Sequence, residues 1–158
     1  CGDAGVAHTV VPGITAGIAA PAEAGIPVTD RRWAQGVLLV TGHAQPGHAG
    51  PDWAQLAHTA RGGITLVIYM GITHSADITA ALMAAGLAGS TPAAVVQSGC
   101  TPQQRAHVGT LRTLAGDIRR VGIASPAILV IGDVVRAAAL MQDGGSSIDL
   151  PTPRAATA

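Results

Sequence analysis

The sequence contains no lysine and no phenylalanine, and only two of its 158 residues are cysteine. Nine arginines balance nine acidic residues, so the formal net charge is zero. Such a chain lacks the basic face that nucleic-acid phosphates require, and we therefore expect no nucleic-acid partner. The use of arginine alone, with abundant alanine and glycine, is typical of a genomic base-composition bias and carries no functional information.

The sequence also lacks the marks of a secreted or membrane protein. Cys1 and Cys100 are far apart, in no spacing that metal or redox sites use, and we find no secretory signal. The most apolar long stretch, residues 10–28, is interrupted by three prolines, whereas a membrane span needs about 20 uninterrupted apolar residues. We expect a cytoplasmic protein with no membrane partner.

Several catalytic signatures are absent as well. The sequence has no G-x-S-x-G, no P-loop and no G-x-G-x-x-G, which leaves no basis for a nucleophilic hydrolase or a nucleoside triphosphatase. His43 and His48 are five residues apart, but no third ligand has a spacing suited to zinc. We predict no metal site, and a structural or substrate-facing role for these histidines.

What the sequence does contain is a set of short apolar runs that alternate with alanine-rich helical patterns. Apolar residues make up 48% of the chain and charged residues 11%, which indicates a globular protein. The alternation predicts an α/β domain with its ligand beyond the carboxyl ends of the strands. Strands are predicted at 8–11, 37–42, 64–71, 92–99 and 126–135, and helices at 14–25, 52–60 and 75–86. The segment 102–121 is predicted to end in a helix, and the part before that helix is ambiguous and could be a strand.

Some boundaries of these elements carry specific signals. Asp52 is placed to cap the helix that follows it, and Ser75 is predicted to cap the next one, which Gly86 ends. The continuous apolar run 37–42 predicts a buried strand.

Three of the predicted strands end in small residues. They are VVPGITAG (10–17), VIYMG (67–71) and VVQSG (95–99). Small side chains and free backbone N–H groups at such ends allow a ligand to lie against the chain. Each has an ordinary alternative, since small residues also serve helix packing and a methionine often fills a gap in a core. Their convergence on one edge of the sheet favours a ligand site.

Three arginines are candidates for binding carboxylates. Arg31 and Arg32 follow Asp30 in a predicted turn, and Arg105 follows the SGCTPQQ segment. A guanidinium binds a carboxylate through two parallel hydrogen bonds. The alternative for each is a solvated surface charge.

The order of these segments resembles that of the tetrapyrrole methylases, from about residue 4 to residue 135. The matching segments are VVPGITAGIAAPAEAGIPVTDRR, VTGH, DWAQLA, TLVIYMG, TPAAVV, QR…GTL and SPAILVIGDVV. The resemblance implies a mixed sheet flanked by helices, as the second of two α/β domains that hold S-adenosylmethionine between them in a homodimer. It places 1–25 at the end of the first domain with its linker helix, 26–136 in the second domain, and 137–158 in a disordered tail.

The resemblance also assigns residues to the cofactor. The contacts of the family in this half correspond to Thr15, Ala16, Met70 and Gly99, and the family has Gly-Thr where this chain has Gly99-Cys100. The glycine-rich motifs of the first domain, and the aspartate and lysine proposed there as general base and acid, are absent. We therefore assign no catalytic residue, and since the chain begins at Cys1 rather than methionine we expect a fragment.

The reaction that the resemblance implies is methyl transfer from S-adenosylmethionine to C2 and C7 of uroporphyrinogen III, which gives precorrin-2 for siroheme or cobalamin. The substrate carries eight carboxylates, and Arg31, Arg32 and Arg105 are the predicted substrate-binding residues. Two alternatives stay open: another precorrin methyltransferase or a diphthine synthase-like enzyme, and a non-catalytic truncated fragment.

Overall fold

The computed structural model describes residues 2–45 and 47–138, which form an α/β fold around one mixed sheet. The helices are α1 (Ala16–Glu23), α2 (Trp53–Arg61), α3 (Ser75–Ala84) and α4 (Leu114–Val121). The strands are β1 (Gly36–Thr41), β2 (Ile64–Tyr69), β3 (Pro92–Gln97), β4 (Arg105–Thr110) and β5 (Ala127–Ile131). Short 3₁₀ turns lie at Gly2–Ala4 and Asp133–Val135. The predicted fold class is confirmed.

The five strands are arranged in the order β1-β2-β5-β3-β4. Strands β1 and β2 are parallel, and β5 lies between β2 and β3, antiparallel to both. Strand β4 is antiparallel to β3 at the far edge. The carboxyl ends of β1, β2 and β3 therefore meet at one edge of the sheet, together with the amino ends of β4 and β5.

Two apolar cores lie on the two faces of the sheet, because side chains alternate along each strand. On one face, Leu66 and Ile68 of β2 pack with helices α2, α3 and α4. On the other face, Val67 of β2 packs with Ala20 of α1 and with the segment around Val134. The molecule thus has three layers, and α1 is the only α-helix labelled above that packs on the second face.

Two of the predicted helix boundaries differ in outcome. Asp52 caps α2 as expected, since its Oδ1 accepts hydrogen bonds from the N–H groups of Ala54 and Gln55, both at 3.0 Å. The prediction for Ser75 was wrong by one residue: His74 is the N-cap of α3, without a side-chain cap, and Ser75 is buried as the first helical residue. Gly86 follows the end of α3 with a φ of +89°.

Two strand predictions were wrong. Residues 8–11 form no strand: no strand in the described part of the chain pairs with them, and Val10 and Val11 are 83% and 84% exposed. Strand β1 is half-exposed rather than buried, since it lies at the edge of the sheet and pairs only with β2. The ambiguous segment 102–121 contains both a strand, β4, and a helix, α4.

The predicted domain boundaries and tail stay predictions. Of the expected tail, only Ala137 and Ala138 are described, and both are buried; the remainder lies outside the described residues. Within the described residues no helix is long and apolar enough to cross a membrane.

Candidate functional site

A cleft of about 730 Å³ opens at the edge of the sheet where β2 and β3 end. Its walls come from α1, the end of β2, the segment after β3 and the start of β5, and they are mostly apolar. Pockets for small ligands and cofactors typically enclose about 300–1,000 Å³ and combine an apolar lining with a few polar groups. Here the polar residues of the lining include Ser98, Thr101 and Gln103. The dimensions suit a cofactor-sized molecule.

Three residues of this lining hold an unusual backbone conformation. Met70, Ser98 and Cys100 have φ values of +53°, +48° and +61°, and they are the non-glycine residues with positive φ in the described chain. Such conformations are costly for residues with a Cβ and tend to cluster where ligands bind. All three line the cleft. The backbone strain is therefore concentrated at one place, next to the cavity.

Tyr69 ties the start of α1 to the end of β2. Its hydroxyl accepts a hydrogen bond from the N–H of Gly17 at 2.7 Å and is hydrogen-bonded to Oγ1 of Thr15. A Cβ on Gly17 would lie 2.7 Å from Cζ of Tyr69. The lack of bulk in VVPGITAG thus has one reason visible in the structure, which is the close approach of a tyrosine to the first turn of α1.

The segment after β3 packs equally closely on α1. A Cβ on Gly99 would lie 2.8 Å from Cα of Ala20, and both residues line the cleft. The segment is closed by hydrogen bonds within itself: the N–H of Cys100 donates to Oε1 of Gln104, and Oγ1 of Thr101 donates to the carbonyl of Ser98, both at 2.7 Å. Gly99 is small because α1 passes directly over it.

The residues assigned to the cofactor meet at this cleft. Ala16, Met70 and Gly99 line it, and Thr15 lies beside it through its bond to Tyr69. Their assignment to the cofactor stays a prediction, since no ligand is present. Tyr69 has no role in the sequence-based assignment, although it is the only tyrosine of the chain and precedes Met70. The position of this single tyrosine directly before Met70 was the sequence signal that could have identified it.

The three candidate arginines lie outside the lining of the cleft. Arg32 pairs with Asp30 through two hydrogen bonds of 3.0 Å, and its guanidinium lies 4.2 Å from the ring centroid of Trp33. The hydrogen bonds from Arg32 lower the pKa of Asp30 to about 2. Arg105 donates to the carbonyls of Val121 and Gly122 at 2.5 and 3.1 Å, at the end of α4.

These contacts occupy two of the three guanidinium groups with partners inside the chain. Arg31 is exposed and makes none of the described ion pairs. Substrate binding by the three arginines stays a prediction. Over residues 2–45 and 47–138 the structure brings together no group of three histidine, cysteine or acidic side chains that could hold a metal ion.

Comparison with known proteins assigns the chain to a family. A family model described as Tetrapyrrole (Corrin/Porphyrin) Methylases matches residues 1–115. The uroporphyrinogen-III C-methyltransferase of Synechocystis sp. is 47% identical over 134 residues, which are 84% of this chain and 50% of that protein. The siroheme synthase of Chromobacterium violaceum is 46% identical over 134 residues, 85% of this chain and 28% of that protein.

Solved structures agree with this assignment. The uroporphyrin-III C-methyl transferase of Thermus thermophilus complexed with S-adenosyl homocysteine matches with a TM-score of 0.67 and 30% identity, over 85% of this chain and 56% of that one. A cobalt precorrin-4 methyltransferase matches with a TM-score of 0.71 and 26% identity, over 85% of this chain and 55% of that one. The chain spans half or less of the curated relatives described above. It belongs to the tetrapyrrole methylase family.

Proposed function

We propose that this chain supplies the cofactor-binding second half of a uroporphyrinogen-III C-methyltransferase. That enzyme would transfer methyl groups from S-adenosylmethionine to C2 and C7 of uroporphyrinogen III. The observation that carries the proposal is the cleft between α1 and the ends of β2 and β3, where Ala16, Met70 and Gly99 meet. A relative of that name at 47% identity, and a solved relative complexed with S-adenosyl homocysteine, support it.

The residues present fit such a cofactor. The cleft has the volume of a site for a cofactor-sized molecule and is mainly apolar, as the adenine and the methylene groups of S-adenosylmethionine require. The exposed side chain of Met70, 63% accessible, offers a polarisable apolar surface at the mouth. Ser98, which carries a hydroxyl, also lines the cleft. Because Gly99 has no side chain, α1 can pack directly on the segment after β3.

S-adenosylmethionine would supply an electrophilic methyl group bound to its sulfonium. The work of this chain would be to hold the cofactor at a fixed angle and to keep water away, because methyl transfer depends chiefly on alignment of the reacting atoms. No proton-transfer residue is assigned among the residues described here, and we place that chemistry in the other half of the enzyme. The exposed apolar side chains of Val10, Val11 and Ile14 mark the surface where we place contact with that half.

A second candidate function is methylation of a later tetrapyrrole intermediate. It is favoured by the TM-score of 0.71 to the cobalt precorrin-4 methyltransferase, slightly above the 0.67 to the Thermus thermophilus enzyme. The sequence favours the first candidate, since over the structural alignments identity is 30% to the Thermus thermophilus enzyme and 26% to the precorrin-4 enzyme. We further propose a homodimer in the cytoplasm, whose product serves siroheme or cobalamin synthesis.

Calorimetric titration of the 158-residue chain with S-adenosylhomocysteine tests the cofactor site. We expect binding, and we expect Met70→Ala to weaken it about tenfold through loss of the apolar contact at the mouth. Val108→Ala is the matched control, because Val108 is also an exposed apolar residue but lies on β4, outside the lining of the cleft. Equal affinities of the Met70 variant and the unaltered chain would overturn the assignment of Met70.

A chimera tests the substrate. The part of the Synechocystis relative that aligns with this chain is replaced by the chain itself, and formation of precorrin-2 from uroporphyrinogen III is followed by absorbance after oxidation. Methylation of uroporphyrinogen III would support the first candidate. Methylation of a cobalt precorrin instead would favour the second candidate and contradict the first.

A further inference from the structure

A second cavity, of about 400 Å³, lies between the start of α3 and the end of α4. Its walls come from the segment that leads into α3 and from the last turn of α4 with the residues after it. It shares no lining residue with the cofactor cleft. Helices α3 and α4 pack on one face of the sheet, whereas α1, which forms a wall of the cleft, packs on the other. This α3–α4 cavity is therefore separate from the proposed cofactor site.

The first turn of α3 offers free backbone donors at the α3–α4 cavity. The helix has ten residues, and its N-cap, His74, provides no side-chain hydrogen bond to the N–H groups that follow. Among the hydrogen bonds of the described residues, none is donated by the N–H of Ala76 or of Asp77, and Ala76 lines the cavity. Exposed N–H groups and the partial positive charge of a helix N-terminus favour an anion.

Ser75 adds a buried hydroxyl at the same place. The residue is only 6% exposed, and it lines the cavity. Its carbonyl accepts a hydrogen bond from Oγ1 of Thr79 at 2.9 Å, but its own hydroxyl makes none of the hydrogen bonds found in residues 2–45 and 47–138. A hydroxyl removed from water is costly when it has no partner, and buried polar groups are therefore almost always paired. An acceptor inside the cavity would supply the missing partner.

The charge at the α3–α4 cavity is positive. Arg119 lines the cavity and takes part in none of the ion pairs of the described chain, whereas its neighbour Arg120 pairs with Asp117 at 2.6 Å. No aspartate or glutamate of the described residues lines the cavity, and Asp77, in the first turn of α3, is exposed outside the lining. A guanidinium binds a phosphate through two parallel hydrogen bonds.

The backbone acceptors at the end of α4 are already occupied. The carbonyl of Ile118 accepts from the N–H of Ile123 at 3.0 Å, and that of Arg119 accepts from the N–H of Gly122 at 3.3 Å. The carbonyl of Gly122 accepts from the guanidinium of Arg105 at 3.1 Å. The negative end of α4 is thus satisfied within the chain, and the groups left for a ligand are donors.

We propose that the α3–α4 cavity binds a phosphate group, held by the N–H groups at the start of α3, the hydroxyl of Ser75 and the guanidinium of Arg119. Phosphate has more acceptor oxygens than a carboxylate and can accept from all three groups at once. Apolar side chains, those of Ile72, Ile118 and Ile123, line the rest of the cavity and leave room for a small organic group. The phosphate can therefore be free or esterified. The inference does not depend on the proposed function.

The test is titration of the full 158-residue chain with inorganic phosphate and with phenyl phosphate, followed through the amide NMR signals. Ionic strength is kept constant, because salt screens exposed charges. We expect saturable shifts at the N–H groups of Ala76 and Asp77. Phenyl phosphate binding several times more tightly than phosphate would identify an ester as the ligand, and equal affinities would identify the free ion. Absence of saturable shifts at these two amides with both probes would overturn the proposal.

Two variants test the side chains, since Ser75→Ala and Arg119→Gln each remove one kind of donor. Loss of a hydrogen bond to a charged group typically weakens binding about tenfold or more, and we expect that loss with each variant. Arg120→Gln is the matched control, because it removes the same charge from the adjacent residue of α4, outside the lining. S-adenosylhomocysteine affinity is expected to stay unchanged in all three variants.

Undiminished phosphate affinity of either test variant would overturn the role of its side chain, and undiminished affinity of both would overturn the site. An equal loss with Arg120→Gln and Arg119→Gln would show unspecific attraction by charge and would overturn the role of Arg119.

Discussion

Around the cleft, individual residues keep side chains in backbone conformations that suit glycine better. A left-handed φ costs a residue with a Cβ about 1–2 kcal/mol, and Met70, Ser98 and Cys100 each adopt one. Gly99 lies between Ser98 and Cys100, and a side chain on it would collide with α1. The chain thus has glycine where a Cβ would not fit, and larger residues where only the φ angle is unfavourable. The residues at the strained positions line the cavity, which favours their retention for contacts with a ligand.

Replacing Ser98 with glycine tests this interpretation. Relief of the left-handed conformation, less the added flexibility of glycine in the unfolded chain, predicts a free energy of unfolding higher by about 0.5–1 kcal/mol. The opposite change, Gly122→Ala, is expected to lower it by about 1 kcal/mol, because Gly122 ends α4 with a φ of +67°. Urea denaturation measures both. A destabilised Ser98→Gly variant would show that the serine side chain stabilises the fold and is not held under strain.

Prediction of single site residues from sequence had a clear limit. The family resemblance assigned Ala16, Met70 and Gly99 to the cofactor, and all three line the cleft, although their contact with a cofactor stays a prediction. Tyr69 was not assigned a role, because its hydroxyl contacts Gly17 across a separation of 52 residues, and no local pattern encodes such a contact.

Helix α1 owes its position to small residues beneath it. It packs on the second face of the sheet through Gly17 and Ala20, against Tyr69 and Gly99 respectively. The helix has only eight residues and contains Pro21, so its own hydrogen bonds contribute little, and contact with the rest of the molecule must hold it. This contact makes α1 one wall of the cleft, opposite the start of β5.

Gly99→Ala is expected to displace α1. Its Cβ would lie 2.8 Å from Cα of Ala20, and overpacking of this kind typically costs about 1–3 kcal/mol of stability. Gly116→Ala is the matched control: Gly116 lies within α4, a Cβ there would meet open space, and alanine is expected to stabilise by about 0.5–1 kcal/mol. Thermal unfolding and S-adenosylhomocysteine titration of both variants measure the effect. An unaltered stability of the Gly99 variant would mean that α1 can move away without cost.

At the level of elements, sequence patterns located those that contain their own signals. The central strands β2, β3 and β5 are continuous apolar runs, and α2 begins with a capping aspartate. Burial of β1 could not be read from its composition, because the run VLLV is equally compatible with the centre or the edge of a sheet. The run HTVV failed as a strand for a related reason: β-branched residues favour a strand only where a partner strand is available.

Although the acidic residues and the arginines of the molecule are equal in number, its stability is expected to depend on pH. Hydrogen bonds from Arg120, Thr113 and His107 lower the pKa of Asp117 from 3.8 to about 2. A carboxyl whose pKa is lowered by folding stabilises the fold above its unfolded pKa, and this contribution is lost as the pH falls toward the folded value. We therefore expect stability to decrease between about pH 4 and pH 2.

Asp117→Asn is expected to reduce that decrease without abolishing it, because Asp30, whose pKa Arg32 lowers to about 2, titrates in the same range. The measurement is the free energy of unfolding in urea from about pH 2 to about pH 6. Asp3→Asn, in the exposed N-terminal turn, is the control and is expected to follow the unaltered chain. An Asp117→Asn profile identical to that of the unaltered chain would rule out the carboxylate as a source of acid sensitivity.

The central position of β5 has a consequence for how the molecule is made. It is the last of the five strands to leave the ribosome, yet it joins β2 to β3, whose partner residues lie 65 and 38 positions earlier at Leu66↔Ile131 and Ala93↔Ile131. Until it emerges, the edges of β2 and β3 that pair with β5 in the folded molecule lack this partner. Contacts over such separations form slowly, and open strand edges attract other chains. A chaperone would therefore be most useful during the stage of synthesis before β5 emerges, when these strand edges are unpaired.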